Sequence, residues 1–302
     1  MSFRARRHPQ VTYLAMSTPR SLDLPLGVRR QILTTSRGHF AALTAGAGPA
    51  VVLVPGWTGS KEDYAELLVP LAEAGFSTIA IDQRGQFETP GFQDETAYTL
   101  DAFGADLLAI IEAAGGSAHV MGHSFGGLVA RAAAIADPEA LASVTLLCSG
   151  PAALPAQVHP LLHALADAIA GGLAVAWKAK RAHDLANGAP EVPPDIEAFL
   201  ERRFITNDPV SLGAITRLLT SVPDRVAELR STGVPVQVVF GADDDGWPHD
   251  VQRDMAARLS APVRVIEGAG HSPAVDQPAA TAATLASFCA TAATSRRVRH
   301  SA

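Results

Sequence analysis

The feature that most constrains this chain is a strand, a tight turn and a helix that follow one another over residues 117–130. The turn, Gly122-His123-Ser124-Phe125-Gly126, fits the pattern G-x-S-x-G. In that pattern a serine sits on a strained bend with its hydroxyl exposed, and the flanking glycines let the backbone approach closely. Strain of about 1–3 kcal/mol tends to persist where function requires it. The stretch therefore predicts a nucleophilic serine; the alternative is an incidental serine in a glycine-rich connection.

Short apolar runs alternate with amphipathic helical patterns on both sides of this stretch. This alternation predicts an α/β fold with a mostly parallel central sheet and helices on both faces. A hairpin and six further strands are expected at Val28–Thr35, His39–Thr44, Ala50–Val54, Phe76–Ile81, Ala118–Met121, Ser143–Cys148, Val234–Phe240 and Val263–Glu267. The flanking helices are expected at Glu62–Ala74, Thr99–Ala114, His249–Leu259 and Pro278–Ala293, with one more after Ser124.

Residues 151–231 carry no strand pattern and are expected to form a helical insertion. An alanine-rich region at Leu154–Leu185 precedes two helices, each entered through a proline-containing turn, at Pro194–Phe204 and Val210–Thr220. Residues 26–150 and 232–302 should together form the core. Residues 1–25 lack periodicity and are expected to be a poorly ordered arm.

Charge and cysteine content indicate the kind of partner and compartment. The 302 residues include 24 Lys and Arg against 30 Asp and Glu, a net charge of −6, which gives no reason to expect nucleic acid or an anionic membrane as partner. No apolar run approaches the ~20 residues of a membrane span, and no secretory signal pattern is present. Cys148 and Cys289 specify neither a disulfide framework nor a metal site, so free thiols in the cytoplasm are expected. The oligomeric state stays open.

A serine hydroxyl needs a base within hydrogen-bond reach, and that base needs a group to orient it. Ligands of open parallel sheets bind at the carboxyl ends of the strands. Asp243-Asp244-Asp245 follow one predicted strand, and His271 follows the next. Serine, acid and histidine thus occur in the order Ser, Asp, His, each just past a predicted parallel strand.

Five motifs in order resemble the α/β-hydrolase superfamily, in its small bacterial form with a helical cap. The resemblance covers roughly residues 30–292. The motifs are Val54-Pro55-Gly56-Trp57, Asp82-Gln83-Arg84-Gly85, Gly122-His123-Ser124-Phe125-Gly126-Gly127, Gly241-Ala242-Asp243-Asp244 with Pro248, and Gly268-Ala269-Gly270-His271.

The resemblance implies a role for each motif residue. Ser124 would be the nucleophile and His271 the base. The family spacing G-x-x-D-x-x-x-P, set by Gly241 and Pro248, selects Asp244 as the acid, with Asp243 and Asp245 as alternatives. The oxyanion would be held by two backbone N–H groups, at Phe125 and Trp57.

Two positions depart from the family pattern. Pro55 stands where histidine is common, and Phe87 stands where glycine is usual. Candidates for the substrate pocket are His123, Trp177 and Trp247.

Serine at the nucleophile position argues for acyl transfer, because the resemblance implies aspartate there in dehalogenases and epoxide hydrolases. The expected reaction is hydrolysis of a hydrophobic carboxylic ester or lactone, a small-molecule substrate, since the apolar insertion favours an apolar pocket. No cofactor or metal is expected, because no phosphate-binding loop or metal-ligand spacing is present. Other reactions on the same site remain open: cofactor-free perhydrolysis or haloperoxidation, C–C bond hydrolysis, a lyase reaction, or ligand binding with little turnover.

Overall fold

An eight-stranded sheet forms the centre of the protein. The computed structural model describes the backbone of residues 16–300 and the side chains of residues 16–294. The strands are β1 (Arg29–Thr35), β2 (Gly38–Ala45), β3 (Ala50–Val54), β4 (Ser77–Ile81), β5 (Ala118–His123), β6 (Leu141–Leu147), β7 (Val236–Gly241) and β8 (Val263–Ile266). Across the sheet they are ordered β1-β2-β4-β3-β5-β6-β7-β8. β2 is antiparallel to β1 and β4, and all other neighbours are parallel. The expected α/β fold class is confirmed.

Eleven α-helices surround the sheet in the described part of the chain. They are α1 (Ala65–Glu73), α2 (Leu100–Ala113), α3 (Phe125–Ala136), α4 (His159–Ala170), α5 (Leu173–Ala186), α6 (Pro194–Thr206), α7 (Pro209–Leu218), α8 (Val226–Ser231), α9 (His249–Leu259), α10 (Pro273–Asp276) and α11 (Pro278–His300). Helix α1 packs on α11, and α2 packs on α3. The alternation of strands and helices read from the sequence therefore corresponds to successive strand–helix units of the fold.

Local sequence explains the start of α2, and α1 begins later than expected. Thr99 caps α2 by accepting a hydrogen bond from the N–H of Ala102, which satisfies one of the free donors of the first turn. The expected helix Glu62–Ala74 is instead a 3-10 turn, Lys61–Tyr64, followed by α1. Pro70 lies inside α1, where it has no N–H to donate to the preceding turn.

The segment between β6 and β7 contains helices α4–α8. The single helical region expected over Leu154–Leu185 is two helices, because the chain breaks at Gly172 with φ +123, a value that favours glycine. Helix α4 packs on α5 and α7, whereas α8 packs on α3 and α9 of the core. The helices between β6 and β7 are thus attached to the core through α8, and also through α6, where Arg203 pairs with Asp63.

The first described residues pack against the protein. Met16 and Ser17 are only 8% and 7% exposed. These two residues therefore do not form part of the poorly ordered arm that was expected over residues 1–25. Buried hydrogen bonds to more distant residues fix the position of Ser17. Residues 1–15 lie outside the described part of the chain. Cys148 and Cys289 are free and buried, as expected.

Candidate active site

Ser124 occupies a strained bend between β5 and α3. Its φ of 53° and ψ of −117° are unusual for a residue with a side chain, and its N–H donates to Leu147 O at 2.9 Å. A Cβ on Gly122 would lie 2.2 Å from Gly126 O, and one on Gly126 would lie 2.4 Å from Val54 O. Glycine at position 122 therefore lets β5 turn closely into α3, and glycine at position 126 lets α3 approach β3.

Asp244 and His271 meet across the loops that follow β7 and β8. Asp244 Oδ1 lies 2.6 Å from His271 Nδ1 and accepts a second hydrogen bond from the N–H of Gly246 at 3.0 Å. Asp244 Oδ2 accepts from Gln252 Nε2 at 2.7 Å. Of the three adjacent aspartates, Asp244 is the one bonded to the histidine ring; Asp243 is exposed, and Asp245 is half-buried.

The electrostatics of this pair favour an aspartate anion beside the imidazole. Burial acts to raise the pKa of Asp244, but the charge of His271 and the hydrogen bonds from His271, Gly246 and Gln252 lower it below its ordinary value. Burial acts to lower the pKa of His271, but Asp244, and less strongly Asp245 and Asp276, raise it above its ordinary value. The arrangement therefore stabilises a proton on the histidine, as a general base requires when it accepts one.

His123 also contacts His271, through the main-chain carbonyl and the imidazole ring. Its Nε2 lies 2.6 Å from the main-chain carbonyl of His271, and the two ring centroids are 5.0 Å apart. Burial, followed by the charge of His271, lowers the pKa of His123 to about 3. His123 is therefore neutral at ordinary pH and donates from Nε2, which fixes the backbone at residue 271.

The loop after β3 lies directly beside Ser124. A Cβ on Gly56 would be 3.2 Å from Ser124 Cβ. The side-chain amide of Gln86 donates to the carbonyls of Gly56 and Trp57 at 2.8 and 2.9 Å, and that of Gln83 donates to Pro55 O at 2.9 Å. Because the C=O and N–H of a trans peptide point in opposite directions, the Trp57 N–H points away from Gln86. Two glutamines thus support the loop in which Pro55 departs from the family pattern.

Phe87 has a left-handed backbone conformation, which glycine adopts more easily than a residue with a side chain. Its φ is +42°, and its ring packs at 85° against Phe199 with centroids 5.8 Å apart. The Lys61 ammonium lies 4.7 Å from the Phe87 ring centroid. The packing of the ring between core and helix α6 accounts for a side chain at this strained position.

Three cavities adjoin these residues. The smallest, about 30 Å³, is lined by Ser124, His271, His123, Trp57 and Ser17 among others. A second, about 220 Å³, lies between α4 and α5, and its walls are mostly apolar; they include Trp57, Leu161, Leu162 and Leu165. The third, about 320 Å³, is lined by His271, Arg181 and four aspartates, together with Met16 and Thr18.

The three pocket candidates lie in different surroundings. His123 lines the small cavity. Trp177 is buried against Phe204, with ring centroids 5.8 Å apart, and Trp247 is buried with its ring centroid 6.5 Å from that of His271. Neither tryptophan is among the residues lining the three cavities. Trp247 thus packs near His271 without lining any of these three cavities.

Sequence reasoning missed the supporting roles of five residues. Gln86, Gly246 and Gln252 bond to candidate site residues, Ser17 lines their cavity, and Gln83 bonds to Pro55 in the loop that carries Trp57. Two of them lie within motifs of the family: Gln83 in Asp82-Gln83-Arg84-Gly85, and Gly246 between Gly241 and Pro248.

In the part of the chain that the structure describes, two groups of side chains bring metal-ligand atoms within 4.8 Å of one another: His123, Cys148 and His271, and Asp244, Asp245 and His271. Burial raises the pKa of the Cys148 thiol well above its ordinary value, and a metal requires the thiolate. Both oxygens of Asp244 already accept hydrogen bonds. The protonated thiol therefore makes the first group a poor metal site, and the hydrogen bonds to Asp244 account for the second.

The chain belongs to the alpha/beta hydrolase family, whose model matches residues 51–284. It is 29% identical over 263 residues to a pimeloyl-[acyl-carrier protein] methyl ester esterase of Methylococcus capsulatus, covering 82% of this chain and 97% of that protein. It is 33% identical over 98 residues to epoxide hydrolase B of Mycobacterium tuberculosis, which is 32% of this chain and 28% of that protein.

A solved structure of a thermophilic esterase from Thermogutta terrifontis shares the fold, with a TM-score of 0.71, 21% identity, and coverage of 87% of this chain and 99% of that one. The family and the two relatives matched by sequence support hydrolase activity. Among the described helices, none is long and apolar enough to cross a lipid bilayer.

Proposed function

We propose that this protein is a serine hydrolase that cleaves carboxylic esters or lactones through an acyl-enzyme, with Ser124 as nucleophile, His271 as base and Asp244 as the orienting acid. The observation that carries the proposal is the 2.6 Å contact between Asp244 Oδ1 and His271 Nδ1 beside the strained bend at Ser124. Ser124 and His271 line one small cavity, which supports their acting on a common substrate.

In the first half of the reaction, Ser124 Oγ attacks the ester carbonyl carbon while His271 Nε2 takes the hydroxyl proton. The tetrahedral intermediate collapses when its C–O bond to the alcohol breaks, and His271 returns the proton to the leaving oxygen. Water then attacks the acyl-enzyme by the same route, releasing the acid and free Ser124. Asp244 holds the imidazole in the tautomer whose Nε2 can accept the proton.

The oxyanion would be held by the main-chain N–H groups of Phe125 and Trp57. Phe125 opens helix α3, and the first N–H groups of a helix have no partner within it. Trp57 belongs to the glutamine-supported loop beside Ser124. Loss of one such donor typically slows an enzyme by about 10²–10³-fold.

The segment over residues 151–231 would act as a cap that supplies part of the substrate pocket. The apolar walls of the 220 Å³ cavity, which include Leu161, Leu162 and Leu165, favour a hydrophobic substrate. The name of the methyl ester esterase from Methylococcus capsulatus supports an ester as the substrate class. The match to an epoxide hydrolase does not favour epoxide chemistry here, because Ser124 stands where the family resemblance implies an aspartate in those enzymes.

Labelling with a fluorophosphonate, followed by mapping of the modified residue, tests the proposal. We expect modification of Ser124 in the native protein, none in Ser124→Ala, and unchanged labelling in Ser231→Ala, which removes an exposed serine of α8. Hydrolysis of methyl butyrate, measured as the release of acid, should disappear in Ser124→Ala and persist in Ser231→Ala. Labelling without turnover across an ester and lactone panel would favour a binding module, and halogenation that needs acetate and peroxide would favour haloperoxidation.

A further inference from the structure

Residues Met16–Arg20, which we call the N-terminal segment, are fixed against the loop that carries His271. The hydroxyls of Ser17 and Ser272 lie 2.7 Å apart, and both residues are buried. The Arg20 guanidinium donates to the carbonyl of Asp276 at the end of α10. The segment has no regular secondary structure, so these side-chain contacts determine its position.

Arg203 of helix α6 holds the segment from the opposite side. Its Nη2 donates to Ser17 O at 2.6 Å, and its Nη1 pairs with Asp63 Oδ1 at 2.7 Å. Both charged side chains are almost fully buried, with 1% and 3% exposed. Breaking one half of such a pair leaves an uncompensated buried charge, which is strongly unfavourable. The N-terminal segment is therefore clamped between α6 and the core.

The segment forms walls of two cavities beside the candidate nucleophile. Ser17 lines the cavity of about 30 Å³ that also contains Ser124 and His271. Met16 and Thr18 line the larger cavity that His271 shares. A volume of about 30 Å³ is a small fraction of the roughly 300–1,000 Å³ of ordinary ligand pockets, so an ester does not fit in this cavity alone. A substrate must therefore extend from Ser124 past one of the neighbouring walls.

The chemistry indicates which part of the substrate meets this wall. His271 must return its proton to the oxygen of the departing alcohol, so the alcohol part lies on the His271 side of Ser124. The N-terminal segment lies on that side, because Ser17 contacts the residue directly after His271. The apolar cavity of about 220 Å³, which Trp57 also lines, lies between α4 and α5, and no residue of the N-terminal segment lines it.

We propose that the N-terminal segment, through Ser17, sets the size of the alcohol group that the enzyme accepts. With Ser17 bonded to Ser272 and Arg203, small alcohols fit beside His271; larger alcohols react when the segment is released. The inference rests on the proposed esterase function. Ser17 takes no part in bond making or breaking and acts as a specificity-determining residue.

The double variant Ser17→Cys/Ser272→Cys in the full chain tests the inference, because the hydroxyls are close enough for thiols in their places to form a disulfide. The same protein is then measured with the segment locked and, after reduction, unlocked. We expect oxidation to lower kcat/KM for octyl butyrate relative to methyl butyrate by about tenfold or more, and reduction to restore it. The ratio for methyl octanoate relative to methyl butyrate, which varies only the acyl chain, should stay constant.

Controls separate the lock from other effects. Ser17→Cys and Ser272→Cys alone, oxidised in the same way, report any reaction with the buried Cys148. Ser17→Gly, which removes the hydroxyl and opens the wall without a cross-link, should raise the ratio of octyl to methyl butyrate.

An octyl to methyl ratio that is equal in the locked and unlocked protein and unchanged in Ser17→Gly overturns the inference while leaving the esterase proposal intact. A native protein that hydrolyses neither ester and whose Ser124 resists a fluorophosphonate overturns both.

Discussion

The imidazole of His271 occupies the space in which a side chain at Gly246 would lie. A Cβ at position 246 would be 2.4 Å from His271 Cε1 and 2.6 Å from Nδ1, well inside any ordinary contact. The N–H of Gly246 also donates to Asp244 Oδ1. One glycine therefore leaves room for the histidine ring and helps to orient the carboxylate that binds it.

The Gly246→Ala variant should lower kcat for methyl butyrate by about 10²-fold, because displacement of a catalytic group by about 1 Å has an effect of that size. The backbone at this position is not left-handed, so the added methyl acts on His271 rather than on the chain. Gly213→Ala in α7 is the matched control: its nearest neighbour would be an Arg217 atom at 3.5 Å, an ordinary contact. Equal rates in the two variants would refute the positioning role.

The Asp244→Asn variant should lower kcat by about 10³–10⁴-fold, because the amide favours the wrong tautomer of His271. Asp243→Asn, at the exposed neighbouring position, should leave kcat close to that of the native enzyme. Steady-state rates with methyl butyrate measure both. If Asp243→Asn were the more damaging change, the orienting acid would be the neighbouring residue.

The pH dependence of kcat/KM should follow His271, whose neutral form is the active base. Asp244, and less strongly Asp245 and Asp276, raise the pKa of His271, so activity is lost as pH falls through a value above that of an ordinary histidine. Asp245→Asn removes one of these negative charges and should move the acid limb to lower pH while most of the maximal rate remains. His123, with a pKa of about 3, contributes no limb in this range. An unmoved limb in Asp245→Asn would contradict this account.

The His123→Phe variant should lower kcat by up to about 10²-fold with little change in KM, because the His271 backbone loses its hydrogen-bond donor. His123→Gln retains an N–H donor and should recover part of the rate. Separate measurement of kcat and KM distinguishes this positioning role from substrate binding, which would appear mainly in KM.

The fold could be predicted from local patterns, and the candidate residues were proposed from the family resemblance and from their positions at strand ends. Apolar runs identified the strands, and parallel strands place their carboxyl ends at one edge, so residues after β5, β7 and β8 were expected to meet. The motif spacing between Gly241 and Pro248 selected Asp244, and Asp244 is the aspartate bonded to His271.

Contacts between distant residues lay beyond such patterns. Nothing in the local sequence of Gln86 indicates that its amide orients the loop at Gly56 and Trp57. The prediction of a poorly ordered arm failed at Ser17 for the same reason, since its partners Ser272 and Arg203 are 255 and 186 residues away. Side-chain pairing at that separation depends on the completed tertiary structure.

The guanidinium of Arg203 has a consequence for the order in which the protein folds. It joins Ser17, Asp63 and helix α6, which are separated by 140 and 186 residues. Contacts that close such long loops are entropically costly until the rest of the chain is organised, so we expect them to form late in folding. Weakening this junction should therefore accelerate unfolding and leave the folding rate nearly unchanged. The wall that Ser17 contributes beside Ser124 would then be among the last parts to consolidate as the chain folds and among the first to open as it unfolds.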